Sequence, residues 1–152
     1  METIKIRQAT NTAEDMLMIH QLVRELATFE LEPEQHTATP QNYLTDLDNG
    51  WFKCLLAIDT TTQTAQGLAL FHTAYSSWKG RMMYLDDLIV TQAARGQGIG
   101  KLLLDAFVDQ AKSENAVLAK WQVLDWNESA IEFYKKQNAK IEHNWLNVKL
   151  FL

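Results

Sequence analysis

The sequence is poor in cysteine, in proline and in long apolar runs, and each scarcity removes a class of protein. With one cysteine, Cys54, an internal disulfide is excluded. It sits in the apolar string Phe52-Lys53-Cys54-Leu55-Leu56-Ala57-Ile58 and reads as a buried, reduced thiol, so a reducing, cytoplasmic location is the default. No run approaches 18 apolar residues, and residues 1–10 lack an apolar secretory segment, so neither membrane span nor signal is expected. Basic residues are outnumbered, 14 against 19 acidic ones, for a net charge of −5. That sign offers no basic stripe to nucleic acid, though it suits a cationic substrate. The four histidines are scattered, no Cys/His spacing suggests a metal, and none is expected. No linker or repeat interrupts the 152 residues, so one domain, 1–152, is expected.

Glycine is also scarce, yet three of the six glycines fall between positions 96 and 100. Ahead of them, Leu85–Val90 is a strand-like run with Asp86 and Asp87 at its head. After them, Ile99, Leu102, Leu103, Ala106, Phe107 and Ala111 follow helical spacing. The order is strand, glycine-rich turn, amphipathic helix, which makes an anion site of the helix start and implies a phosphate-bearing ligand. A Rossmann fingerprint would need glycine where Lys101 stands; a Walker A loop would need glycine at 95 and Ser or Thr at 102, where Arg95 and Leu102 stand. What remains is R-x-x-G-x-G over Arg95–Gly100. A second constellation runs Asp125-Trp126-Asn127-Glu128-Ser129-Ala130-Ile131-Glu132-Phe133-Tyr134, after a strand-like Val117–Val123. There Asn127 is an N-cap, and Ala130, Ile131 and Tyr134 share a helical face.

Elsewhere the pattern predicts a strand at Ile4–Ala9 and a helix from Asn11 or Thr12 to about Thr28. An acidic loop follows at Phe29–Glu34, then a helix capped by Thr39-Pro40 with Tyr43, Leu44 and Leu47 inward. Phe52–Ile58 and Gly67–Tyr75 read as a hairpin, and Lys140–His143 and Trp145–Phe151 as two closing strands.

The loop Arg95–Gly100, after a strand and opening a helix, resembles the acetyl-CoA pyrophosphate loop of the GNAT N-acetyltransferase superfamily. The strand, Asn127 and Tyr134 seven residues on resemble the second half of that cofactor site. The element order is similar to the whole GNAT fold across essentially the full chain. It implies an α/β (α+β) fold, with a mixed central sheet of about seven strands flanked by about four helices. Further strings resemble the diamine (spermidine/spermine) acetyltransferase group. They are Glu25-Leu26-Ala27 with Phe29-Glu30, Trp78-x-Gly80 before Tyr84-Leu85-Asp86-Asp87, and Trp126-Asn127-Glu128 with Phe133-Tyr134-Lys135.

The resemblance implies acetyl-CoA as co-substrate, with its pyrophosphate on Arg95, Gly96, Gln97, Gly98, Ile99, Gly100 and Lys101. Its pantetheine arm would lie along Leu88, Ile89 and Val90 and against Asn127 and Ala130. The amine is assigned to Phe29, Glu30, Trp78, Asp86, Asp87 and Trp121. Catalysis falls to Tyr134, near the departing thiolate, and Asp86. An alkylamine is protonated at neutral pH, so a carboxylate must accept its proton, directly or through a water. Asp86 stands where the group carries a Glu. Because strand neighbours point to opposite faces, only one of Asp86 and Asp87 should line the cleft, and Asp86 is preferred. Ser76 and His143 replace acids of the group, which leaves room for a shorter amine, a diamine or a lysine-like amino acid. Protein or peptide acetylation, and a non-catalytic CoA-binding module, stand as alternatives. A homodimer through strands near the C-terminus is implied as well.

Overall fold

The computed structural model describes residues 3–152 and resolves the chain into two compact units, divided in sequence after Trp121. The first unit runs β1 (Ile4–Gln8), α1 (Ala13–Phe29), α2 (Pro40–Asp48), β2 (Lys53–Asp59), β3 (Thr64–Ser76), β4 (Gly80–Val90), α3 (Ile99–Ser113) and β5 (Leu118–Lys120). Its sheet has the order β1-β2-β3-β4-β5. The first four strands pair antiparallel, and β5 returns parallel to β4 through α3. A parallel return needs such a crossover, which is why the glycine turn must feed a helix at this point.

Local chemistry explains the helix starts. Thr12 accepts from the Asp15 amide at 3.2 Å, and Thr39 with Asn42 forms a reciprocal capping box ahead of Pro40. α1 buries Met16, Ile19 and Leu22 against Leu56, Leu68, Leu70 and Ile89, while Tyr43, Leu44 and Leu47 of α2 pack on that core. Alternation along β3 sends Gly67 and Phe71 to the opposite face, where α3 lies. Phe71 meets the Phe107 ring edge-on at 5.2 Å, a contact worth about 0.5–1.5 kcal/mol beyond its buried area. Gly67 permits this close approach: a Cβ there would stand 2.6 Å from the Ile89 carbonyl oxygen and 3.0 Å from Leu103 Cδ1. Cys54 is fully buried, as its apolar setting predicts.

The second unit, Gln122–Leu152, contains α4 (Glu128–Lys136). Asn138 ends it in the left-handed conformation (φ 61°), and the Ala139 amide donates back to the Tyr134 carbonyl at 3.1 Å. Asparagine tolerates that conformation where glycine is usual. The two closing strands predicted at Lys140–His143 and Trp145–Phe151 do not form, so the sheet has five strands instead of seven. An alternating pattern makes a strand only beside a partner; in this tail Trp145, Leu146, Val148, Leu150 and Phe151 are all exposed. Likewise, the strand predicted at Val117–Val123 forms only where it pairs with β4, at Leu118–Lys120. No helix among the described residues is long and apolar enough to cross a membrane.

Candidate active site

The strict alternation that favoured Asp86 over Asp87 fails in β4. Leu70 of β3 pairs with Asp87 and the next residue, Phe71, with Leu85, so Asp86 is the extra residue of a β-bulge. A bulge of this kind bends its strand and re-aims side chains. Asp86 is consequently exposed while Asp87 is partly buried. Burial, then the charge of Asp86, then that of Glu30 push the Asp87 carboxyl up to about 7. Glu30, just past the end of α1, is raised too, by burial first and Asp86 second. These three carboxylates, from two elements far apart in sequence, share one electrostatic environment.

Two tyrosines border it, and sequence reasoning gave neither a role in the site. Tyr43 is pushed up to about 12 by burial and then by Asp87 and Asp86. Tyr84 is raised by burial and then by the same pair. Both therefore keep their hydroxyl protons beside the acids. The Tyr43 hydroxyl lies 2.9 Å from His36 Nε2, and the His36 ring lies 4.7 Å from that of His20. Burial, followed by the nearby His20 and Arg24, lowers the His36 pKa and favours its neutral form. The only advance signal was Tyr84's place directly before Leu85-Asp86-Asp87; Tyr43 looked like any inward-facing helix residue.

Downstream, β4 runs into a 3-10 turn (Gln92–Ala94) and then the glycines. Gly98, at φ 80°, is the N-cap of α3 and supplies no side-chain cap, and the first turn carries no acid. The first helical rung is Leu102 N to Gly98 O at 3.1 Å, so the amides of Ile99, Gly100 and Lys101 precede any intrahelical acceptor. α1 and α4 differ: side chains cap them, and acids occupy their first turns. Gly96 (φ 74°) borders open space, with nothing within 4 Å of where its Cβ would lie. The donor set and the missing side chains fit a diphosphate. Two nearby cations are already engaged: Lys101 Nζ pairs with Asp105 at 2.6 Å, and the Arg95 guanidinium lies over the Phe29 ring at 4.8 Å.

β4 pairs with β5 only at Met82, Met83 and Tyr84. From Leu85 to Val90 its far edge therefore has no partner strand within the sheet, while its near edge is bonded to β3. Leu88, Ile89 and Val90 fall in this stretch. The Ile89 side chain is buried in the core and its carbonyl oxygen lies against Gly67 of β3, so the backbone of Leu88 and Val90, not that of Ile89, faces the open edge. Such an edge can accept an extended chain through main-chain hydrogen bonds.

The remaining predicted residues are more dispersed. Trp78 is 83% exposed at the β3–β4 turn, two residues before β4 begins at Gly80, which is itself seven residues along the strand from Asp87, roughly 23 Å at strand rise. Only the Ser76 hydroxyl, accepting from Lys79 N at 3.1 Å, has an evident task there, holding the turn. Trp121 meets Phe107 edge-on at 6.4 Å on the α3 face. Within the second unit, Asn127 Oδ1 accepts from the Ala130 amide at 3.3 Å, which uses its side chain as a cap. Tyr134 is buried, its ring 5.4 Å from that of Phe133. A cavity of about 370 Å³ lies along α1 between Glu14, Glu25, Thr64 and Thr91, and none of Glu30, Asp86 and Asp87 lines it.

A strand bearing clustered acids, a glycine turn and a bare helix start together make a class of site that takes a phosphate-bearing ligand beside a cation. Comparison with known proteins makes the class specific: the profile of the acetyltransferase (GNAT) family matches residues 17–139. The chain is 30% identical to mouse thialysine N-epsilon-acetyltransferase, over 98% of this chain and 93% of that protein. It is 32% identical to human spermidine/spermine N(1)-acetyltransferase-like protein 1, over 91% of this chain but 21% of that one. In fold it matches an aminoglycoside acetyltransferase from an uncultured soil metagenomic sample, with a TM-score of 0.82 and 18% identity over 99% of this chain and 97% of that one. The chain belongs to the GNAT acetyltransferase family, and it is an N-acetyltransferase similar to the diamine group.

Proposed function

We propose that this enzyme transfers the acetyl group of acetyl-CoA to a primary amine of a small cation, a diamine, polyamine or lysine-like amino acid, by direct attack in a ternary complex. The observation that carries the reading is the cluster of Asp86 and Asp87, on the strand that leads into the glycine turn, with Glu30 at the end of α1. Three carboxylates that repel one another are relieved by an ammonium ion, so the site favours cationic substrates over neutral ones. Relatives named for thialysine and spermidine/spermine acetylation support the same substrate class.

The proposed roles follow from the chain's own groups. Asp87, near 7, is poised to accept the proton that the amine must lose at neutral pH, since a base works best when its pKa lies close to the operating pH. Asp86, exposed on the bulge, attracts and orients the cation instead of acting as the base. Amides of Leu88 and Val90, with Ile89 between them, offer donors to a pantetheine arm and to the acetyl oxygen. Gly96, Gly98 and the amides of Ile99–Lys101 take the diphosphate, and Tyr134 serves the departing thiolate. The whole chain, 1–152, is proposed to work as one such domain.

A thiol-release assay over an amine panel tests the substrate. Turnover of diamines or lysine-like amines is expected; turnover of peptides alone would favour a protein acetyltransferase, and acetyl-CoA binding without any turnover would leave a non-catalytic module. A homodimer is proposed from the apolar side chains exposed in the tail, among them Val148 and Phe151. Removing residues 145–152 should then convert dimer to monomer in sedimentation, and an unchanged mass would reject that contact.

A further inference from the structure

We propose that Phe29 and Arg95 form a latch through which occupancy of the glycine turn stiffens the acid-bearing end of α1. The proposal rests on the reading that this turn takes the CoA diphosphate. Two contacts tie α1 to the turn. Glu25 Oε1 accepts from the Gln92 amide at 3.0 Å, and one helical turn later the Phe29 ring lies under the Arg95 guanidinium at 4.8 Å. Arg95 Nε donates to the Val90 carbonyl at 3.1 Å, which fixes the guanidinium at the end of β4.

That arrangement spends one of the five guanidinium donors and leaves the terminal nitrogens for an anion. A cation stacked on an aromatic face can keep its stacking while its edge binds phosphate, because the two interactions use perpendicular directions of one planar group. An anion that immobilises Arg95 therefore also immobilises Phe29. Glu30 is the next residue, and it shares the acidic cluster with Asp86 and Asp87. Beyond it Leu31 takes φ 66°, a conformation a leucine adopts at a cost, so this helix end is a natural place for fraying. The latch opposes that fraying. Phe29 is thus a positioning residue for Glu30, and by reciprocity a bound amine should favour cofactor binding as well.

Three amides report on the helix end directly: Glu30 N bonded to Leu26 O, Leu31 N to Thr28 O and Glu32 N to Ala27 O. Hydrogen exchange at these amides should be followed by NMR with and without saturating CoA, with calorimetry confirming saturation, in the wild type and in Phe29→Leu. In the wild type, CoA should slow all three by at least threefold. In Phe29→Leu, which keeps an apolar side chain but loses the ring, CoA should still bind and should slow them by less than half that factor. CoA binding to the wild type without slowing, or equal slowing in the variant, overturns the latch while leaving the cofactor reading intact. Absence of any CoA binding overturns both.

Discussion

Asp15 and Asp87 are two acids of the first unit that the fold treats in opposite ways. Asp15, 2% exposed at the start of α1, receives Arg7 through two bonds of 2.7 and 2.8 Å. The amide and hydroxyl of Thr10 add bonds of 2.7 and 3.0 Å. The Arg7 bond, opposed by burial and helped by Thr10, holds Asp15 at about 2. Asp87 is also shielded from water, yet the charges beside it are Asp86 and Glu30, and it rises to about 7. Burial acts in the same direction on both; the neighbours decide the sign. A carboxylate given a cation and donors ties β1 to α1, whereas one given only like charges waits for a cation from outside.

If that contrast is right, the two acids should fail differently when altered. Asp87→Asn has the largest expected effect: kcat/KM at neutral pH should fall by about two orders of magnitude or more, the usual contribution of a general base. Thermal stability should hold or rise, because the variant no longer keeps a like-charged acid in place. Loss of stability with little loss of turnover would reverse the roles assigned here. Asp15→Asn should do the opposite, lowering unfolding stability by about 2 kcal/mol in denaturant titrations, since it breaks charged hydrogen bonds in a buried network. Its folded fraction should retain near-normal kcat.

The pH dependence of stability separates them without mutation of either site's partner. Asp15 has a depressed folded pKa, so its contribution is present above the ordinary carboxylate range and is lost as pH falls toward about 2. Asp87 has a raised folded pKa, so folding favours its protonated form. Its contribution is greatest below the ordinary range and is lost as pH rises from about 4 through about 7. Asp87→Asn should therefore flatten the stability curve between about pH 4 and 7 and leave the acid limb below it unchanged. Glu30 and His36, whose pKa values are also shifted, leave a residual slope there, so a slope as steep as that of the wild type would assign the proton to another group.

Some of this was legible in the sequence and some was not. The glycine turn, the caps at Thr12, Thr39 and Asn127, and the left-handed Asn138 all follow from interactions within a few residues, and the structure has each of them. Asp86 and Asp87 were visible as a pair, but the bulge that sorts them depends on the register against β3, set some fifteen residues upstream. Tyr43 joins the site through the tertiary packing of α2, to which periodicity is blind. The two closing strands illustrate the reverse error: a strong local pattern with no neighbour to make it a sheet.

The finest test of the comparison is the ranking of what raises Asp87. Burial comes first, the charge of Asp86 second and that of Glu30 third. A carboxyl carbon titration by NMR should thus move the Asp87 midpoint downward in Asp86→Asn, and by less in Glu30→Gln, since Glu30 sits on a different element and makes the weaker contribution. Neither variant should return Asp87 to the ordinary carboxylate range, because the bulge still holds it away from water. The acid limb of kcat/KM, which reports free-enzyme groups, should shift in the same order and direction. A larger shift from Glu30 than from Asp86 would mean that the end of α1 lies nearer the base than the bulge does, and that Glu30 is the closer partner of the amine.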